Sequence, residues 1–123
     1  MNSKLKSLIL LVAVLGFSVL VLRLIIWRPN VADGALDDFA RCLSDRGAVM
    51  YGAYWCSHCQ NEKKAFGNSF RFVNYVECTD EPDVCTEKKI DGYPTWIVLD
   101  GRRFEGEQGL EKLSELSGCV LPY

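Results

Sequence analysis

The alternation of apolar and polar residues divides the chain into two parts. Leu8–Trp27 reads LILLVAVLGFSVLVLRLIIW, an apolar run interrupted by one charge, Arg23, near its end. About 20 such residues are enough for a helix to cross a hydrocarbon core. Arg23 can reach the headgroups along its aliphatic stem, and Trp27 and Arg28 suit the interface. Lys4, Lys6 and the amino group precede the run and Arg23 and Arg28 close it, a slight lean toward an inside N-terminus. The competing reading is a cleaved signal peptide with Leu8–Leu22 as its core. The only cleavage-like stretch behind it, VADGA (Val31–Ala35), is a poor one, so an uncleaved anchor over residues 1–28 is preferred. Either reading exports the remainder if the N-terminus stays inside.

Residues 29–35, which include PNVADG, form a linker, and 36–123 form one domain. Leu36, Phe39, Ala40 and Leu43 recur at helical spacing, with Asp33 as a cap and Gly47 as a stop. AVMYGAY (Ala48–Tyr54) predicts a buried strand, and CQNEKKAF (Cys59–Phe66) a helix. FRFVNYVEC (Phe70–Cys78) alternates like a second strand. EPDVCTEKKI (Glu81–Ile90) predicts a short helix with Pro82 in its first turn. PTWIVLDGRRFEG (Pro94–Gly106) predicts a hairpin closed by a type I′ turn at Asp100-Gly101. GLEKLSELSG (Gly109–Gly118) is amphipathic, with Leu110, Leu113 and Leu116 on one side. The first two strands, joined through a helix, should be parallel with a right-handed crossover, and the last two antiparallel. The result is an α/β domain with a mixed four-stranded sheet flanked by helices.

Composition narrows the function. The net charge is −2 and the basic residues are dispersed among acidic ones, so the basic stripe that nucleic-acid binding requires is missing. Six cysteines in 123 residues are many. In an exported domain they imply disulfides, in a cytosolic one metal or catalysis. YWCSHCQN (Tyr54–Asn61) holds a C-x-x-C pair with the single histidine, His58, inside it. Such a pair can bind metal, staple the fold or exchange disulfides. Zinc would need Cys56, Cys59, Cys78 and Cys85, but the second pair is spaced C-x6-C, not C-x2-C, so no metal is expected.

The element order, with WCSHC (Trp55–Cys59) between first strand and helix and GYPT (Gly92–Thr95) before the hairpin, resembles the thioredoxin fold from about Leu36 to Cys119. Within that superfamily, FARCLSDRGAVMYGAYWCSHCQNEKKAFG, YVEC, GYPTW and LEKLSELSGC are similar to the thioredoxin-like domain fused to bacterial and plant vitamin K epoxide reductase homologues. Those domains pass electrons from exported proteins to a membrane quinone reductase. The resemblance implies a cis bond before Pro94, with Tyr93 offering backbone groups to a bound polypeptide. That family usually carries proline where this chain has Ser57. Many thioredoxins also bury an acid at the position of Met50, where it assists proton transfer from the resolving thiol. Methionine cannot do this. Either another group serves or the reductive direction is slow.

Disulfide exchange needs an accessible, stabilised thiolate. Cys56 at a helix N-terminus meets that need through the dipole and free amides, with Cys59 one turn on as resolving cysteine. If His58 points at Cys56 it stabilises the thiolate and makes the disulfide a stronger oxidant. Otherwise it is an exposed residue at a helix start. Trp55 and Tyr54 either form part of a substrate surface or pack beside the pair. Cys78 and Cys85 flank an acidic loop and can form a second bridge. Cys42 and Cys119 can form a third, and either pair could instead relay electrons.

The leading expectation is a membrane-tethered thiol–disulfide oxidoreductase that needs no cofactor and oxidises cysteine-containing exported polypeptides. A quinone-linked integral-membrane reductase of the vitamin K epoxide reductase type would reoxidise it. Residues 8–27 would contact lipid, with the N-terminus cytoplasmic and the redox domain in periplasm, cell exterior or thylakoid lumen. A reductase of the same fold, as in cytochrome c maturation, and a disulfide-stapled binding domain are the alternatives.

Overall fold

A computed structural model of the chain describes residues 2–26 and 34–123. Trp27 and Arg28, most of the linker and the cap assigned to Asp33 lie outside the described residues. The chain separates into two compact units, Met1–Val31 and Ala32–Tyr123.

The described part of the first unit holds one helix, α1 (Ser3–Ile26), of 24 residues. At about 1.5 Å per residue it is longer than a hydrocarbon core of about 30 Å. Apolar residues lie on every side of it over residues 8–22, without the single apolar stripe of an amphipathic helix. Length and composition suffice to cross a membrane, with Ser3–Arg23 as the span.

The second unit contains α2 (Asp37–Asp45), β1 (Val49–Gly52), α3 (Ser57–Phe66), β2 (Asn74–Glu77), α4 (Pro82–Glu87), β3 (Thr95–Ile97), β4 (Arg103–Glu105) and α5 (Gly109–Ser117). The sheet order is β2-β1-β3-β4. β1 runs parallel to β2, with Met50 opposite Tyr75 and Gly52 opposite Glu77. β3 is antiparallel to both β1 and β4. This is the mixed four-stranded sheet that the pattern predicts, in the thioredoxin-like arrangement that the resemblance implies.

Alternation along β1 builds two cores. Met50 enters the larger, with Phe39, Ala40 and Leu43 from α2, Cys59 and Phe66 from α3, Trp96 from β3 and Leu113 from α5. Tyr51 faces the smaller, with Cys78, Cys85, Val84 and Ile90. Phe66 stacks on Phe39 with ring centroids 5.9 Å apart and lies 6.3 Å from Trp96. Burying each such side chain contributes roughly 1.5–3 kcal/mol.

Three local expectations are corrected. Residues 70–72 are not strand: Gly67–Phe72 is a 3-10 helix and β2 begins at Asn74. The buried Ser69 hydroxyl donates to Asp37 Oδ1 at 2.8 Å, Arg71 donates to Asp37 Oδ2 at 2.7 Å, and Phe70 turns edge-on to Phe66. These tertiary contacts override the alternation of Phe70 and Phe72. The hairpin turn is not type I′, which needs positive φ at both central residues. Gly101 is at φ +80 while Asp100 is not in that region. Gly101 N–H donates to Val98 O and Val98 N–H to Arg102 O, a three-residue loop with glycine at its left-handed position. Finally, α3 begins at Ser57, two residues before the expected helix, and α4 stops at Glu87.

Two disulfides close the domain. Cys42–Cys119 spans 77 residues and Cys78–Cys85 spans seven. Chain-entropy arguments give about 4 kcal/mol for the long loop and about 2 kcal/mol for the short one. Replacing Cys42 and Cys119 by alanine should therefore cost about 2 kcal/mol more in urea-unfolding free energy than replacing Cys78 and Cys85. Equal losses would contradict a loop-length origin.

Candidate functional site: a dithiol at the head of α3

The site forms where β1 gives way to α3. Cys56 N–H donates to Ala53 O at 3.1 Å, which turns the chain. Cys56 then takes the N-cap position of α3, and its Sγ accepts the Cys59 N–H at 3.1 Å. A sulfur so placed faces the positive end of the helix and an otherwise unpaired amide, both favourable to negative charge. Gln60 Nε2 donates back to Tyr54 O at 2.8 Å and pins the loop. Both cysteines are free, whereas Cys78 and Cys85 are bonded to each other. The four-thiolate zinc set is thus already broken up.

The sequence suggests an exposed nucleophile, but Cys56 retains 7% exposure and Cys59 none. The remaining opening of Cys56 is onto a groove of about 470 Å³ bordered also by Trp55, His58, Asp91 and Tyr93. The Tyr93–Pro94 bond is cis. Tyr93 meets Trp55 edge-to-face with centroids 5.8 Å apart, and Trp55 and Tyr54 are themselves largely exposed. The groove is therefore an aromatic-walled trough with one sulfur in its floor.

Cys59 lies beneath. Burial, then its hydrogen bond with Cys56, pushes its thiol up to about 12. It packs closely against the backbone of Gly52, where a side chain would be crowded. A β-carbon on Gly52 would lie 3.0 Å from Cys59 Sγ, 3.1 Å from Tyr75 Cε2 and 3.3 Å from the Tyr75 hydroxyl. An isolated glycine within a strand is a known sign of such an approach.

His58 does not have Cys56 as its hydrogen-bond partner. Its Nδ1 lies 3.1 Å from Glu107 Oε2, which also accepts from Asn61 Nδ2 at 3.3 Å. Glu107 lies 49 residues along the chain, beyond β4, and no local pattern pointed to it. Met50 is fully buried, so the position expected of a buried acid is apolar.

Two other acids approach the interior. Glu62, one turn beyond Cys59 on α3, is fully buried. It accepts from Gln108 N–H at 2.6 Å and Gly109 N–H at 2.9 Å, capping α5 from outside. Burial pushes its carboxyl above the ordinary value, and the two amides oppose that. Glu77, at the end of β2, accepts from the Tyr75 hydroxyl at 2.6 Å, the Thr79 hydroxyl at 2.6 Å and Tyr54 N–H at 3.2 Å. Its partial burial works upward, but these donors outweigh it and hold the carboxyl below the ordinary range. Tyr75 is pushed up by burial first and then by Glu77.

A carboxyl whose folded pKa lies above its unfolded value favours folding below the unfolded value, and that contribution is lost as pH rises through the folded one. For Glu62 the loss begins at its ordinary value of 4.5. Glu62→Gln leaves one α5 amide without an acceptor, a cost of about 1–3 kcal/mol. The stability gap between wild type and this variant should be widest in mild acid and narrow as pH rises. Urea-unfolding curves across that range measure it, and a gap independent of pH would show that the two amides cancel the burial effect.

No family model matches the chain. It is 41% identical over 91 residues to the thiol-disulfide oxidoreductase LTO1 of Arabidopsis thaliana, covering 67% of this chain and 24% of that protein. It is 34% identical over 85 residues to protein disulfide isomerase-like 2-2 of rice, Oryza sativa subsp. japonica, covering 58% of this chain and 23% of that one. The chain thus spans about a quarter of the length of these relatives. Among solved structures, mitochondrial thioredoxin 3 of Saccharomyces cerevisiae in its oxidised form aligns at 18% identity and TM-score 0.38, over 68% of this chain and 87% of that one. The curated relatives support a thioredoxin-like, disulfide-isomerase-like domain with thiol–disulfide oxidoreductase chemistry.

Proposed function

We propose that the chain is a membrane-tethered thiol–disulfide oxidoreductase that introduces disulfides into exported polypeptides through Cys56 and Cys59. The observation that carries this reading is the paired geometry: Cys56 Sγ on the helix amide at the groove floor, Cys59 sealed behind it. In the oxidising direction a substrate thiolate attacks Cys56 Sγ. The Cys56–Cys59 bond breaks, and Cys59 leaves with the electron pair and takes up a proton. A second substrate thiolate then attacks the substrate sulfur of the mixed disulfide and releases reduced Cys56. The trough between Trp55 and Tyr93 suits an extended polypeptide that passes the cis Tyr93–Pro94 bond and pairs with the backbone of Tyr93.

The two structural disulfides belong to an oxidising compartment, which supports a domain outside the cytoplasm with α1 as its anchor and the N-terminus inside. A quinone-linked integral-membrane reductase of the vitamin K epoxide reductase type is the proposed reoxidant. His58 bonds to Glu107 and not to Cys56, but it borders the same groove, and we assign it a tuning of the pair toward oxidation that acts across the groove without a direct bond to Cys56.

Alkylation trapping in cells tests direction. A donor holds Cys56 and Cys59 mostly oxidised, whereas a mostly reduced pair means a reductase. Cys59→Ala should accumulate mixed disulfides through Cys56 with exported proteins, and none at all would count against exchange. His58→Ala should lower the reduction potential by some tens of millivolts, where about 30 mV corresponds to a tenfold change in equilibrium. An unchanged potential would remove His58 from the tuning role.

A further inference from the structure

With methionine at position 50, the Cys59 proton has no acid in the place where many thioredoxins keep one. Yet Cys59 is completely buried, so its proton cannot pass directly to bulk water. Every full exchange cycle must remove that proton once and restore it once. Its carrier must lie close to the sulfur and reach the outside.

The neighbourhood of Gly52 supplies one. Cys59 Sγ and the Tyr75 hydroxyl border the same point, 3.0 Å and 3.3 Å from where a Gly52 β-carbon would be. The hydroxyl is in turn 2.6 Å from Glu77 Oε2. The other carboxylate oxygen, Oε1, is bonded to exposed Thr79 and to Tyr54 N–H of the active-site loop, at the edge of the solvent. We propose that the Tyr75 hydroxyl and the Glu77 carboxylate are the path by which the Cys59 proton leaves and returns. This assignment rests on the exchange reading above and names the proton carrier of that same site.

The step balances. When Cys59 resolves a mixed disulfide on Cys56, its S–H bond breaks and the proton passes to the Tyr75 oxygen. The Tyr75 proton moves to Glu77 Oε2. The electron pair left on Cys59 forms the bond to Cys56 Sγ, and the bound sulfur departs as a thiolate. In the oxidising direction each transfer reverses: Cys59 leaves as a thiolate and takes the Tyr75 proton, and Glu77 passes one inward from solvent. Tyr75 is a carrier in either direction because a hydroxyl both donates and accepts.

The other groups facing Cys59 do not offer this route. Cys56 is its reaction partner. Lys63, one turn along α3, acts on Cys59 only through its charge and sits 3.6 Å from the centre of the Tyr75 ring. β1 offers Met50 and Gly52, which do not titrate. Glu62 faces the α5 amides and, beyond them, Glu107 and Trp96. His58 bonds to Glu107.

The test uses the full reduced chain in detergent and the chromogenic disulfide dithiobis-nitrobenzoate, followed by stopped flow. Cys56 releases the first aromatic thiolate, and Cys59 releases the second as it closes the ring. Tyr75→Phe keeps the ring packing and removes only the hydroxyl, and Glu77→Gln keeps an acceptor and removes the base. Each should slow the second phase relative to the first by at least about tenfold, less than full general-base effects where water can substitute. In wild type the second phase should rise with pH through the Glu77 titration in the acid range, and Glu77→Gln should abolish that rise. Added imidazole should accelerate the second phase in Tyr75→Phe and not in wild type. A second phase unaltered in both variants overturns the relay and leaves the exchange reading standing. A wild-type chain that never releases the second thiolate overturns the exchange reading, and the relay with it.

Discussion

The site depends on how closely the head of α3 packs on the last residue of β1. Gly52 has no side chain, so Cys59 Sγ and the Tyr75 ring both move in over its α-carbon. That contact sets the depth of α3. With Cys59 sealed there, one helical turn brings its amide to Cys56 Sγ at 3.1 Å and leaves Cys56 as the sulfur facing the groove. A β-carbon at residue 52 would crowd both Cys59 Sγ and the Tyr75 ring, which would have to give way by a few tenths of an ångström. The asymmetry between an attacking and a resolving thiol is therefore a packing property before it is an electrostatic one.

Electrostatics then sharpens the asymmetry. Cys56 meets the positive end of a helix, while Cys59 meets apolar walls that push its thiol up to about 12. A buried thiolate of that basicity is a poor leaving group unless a proton reaches it as the disulfide opens. Met50 removes the carboxyl expected behind the pair, which taken alone favours the oxidising direction. A Tyr75–Glu77 path supplies the proton from the β2 side instead and works both ways. Met50 then says where the proton travels, and the direction of electron flow rests on the potential of the pair and on the redox partner.

The sequence made the element order, the dithiol and the proline loop legible because each has a local signature: alternation, C-x-x-C spacing, an X-Pro dipeptide before a hairpin. Local signatures failed where a distant contact decided. Phe70 and Phe72 alternate as in a strand, yet Asp37, held by Ser69 and Arg71, draws residues 67–72 into a 3-10 helix. Asp100-Gly101 has the composition of a type I′ turn, yet only Gly101 takes positive φ. His58 could be located in the motif but not oriented, because its partner Glu107 arrives from beyond β4. Tyr75 and Glu77 read as ordinary alternating positions of β2. Their relation to Cys59 arises only from the parallel register that sets Gly52 beside Glu77 and Met50 beside Tyr75. Gly52, a glycine within the predicted strand, is a signal that could have pointed to it, though nothing in its local pattern says what approaches it.

The two inward-facing acids show how environment assigns roles to identical side chains. Glu62 is the more deeply buried, and depth alone would nominate it as the proton acceptor. Yet the backbone amides of Gln108 and Gly109 bind its two oxygens, one each, and fasten α3 to the start of α5. A carboxyl held in that way is a strut, with both oxygens already committed to backbone amides. Glu77 is only partly buried. One oxygen is committed to Thr79 and the Tyr54 amide, and the other faces a hydroxyl that converges with the reacting sulfur on the open face of Gly52. A proton arriving on that oxygen needs only the Tyr75 hydroxyl to change from donor to acceptor. Connection to the sulfur, and not depth of burial, separates the acid that moves protons from the acid that holds the fold together.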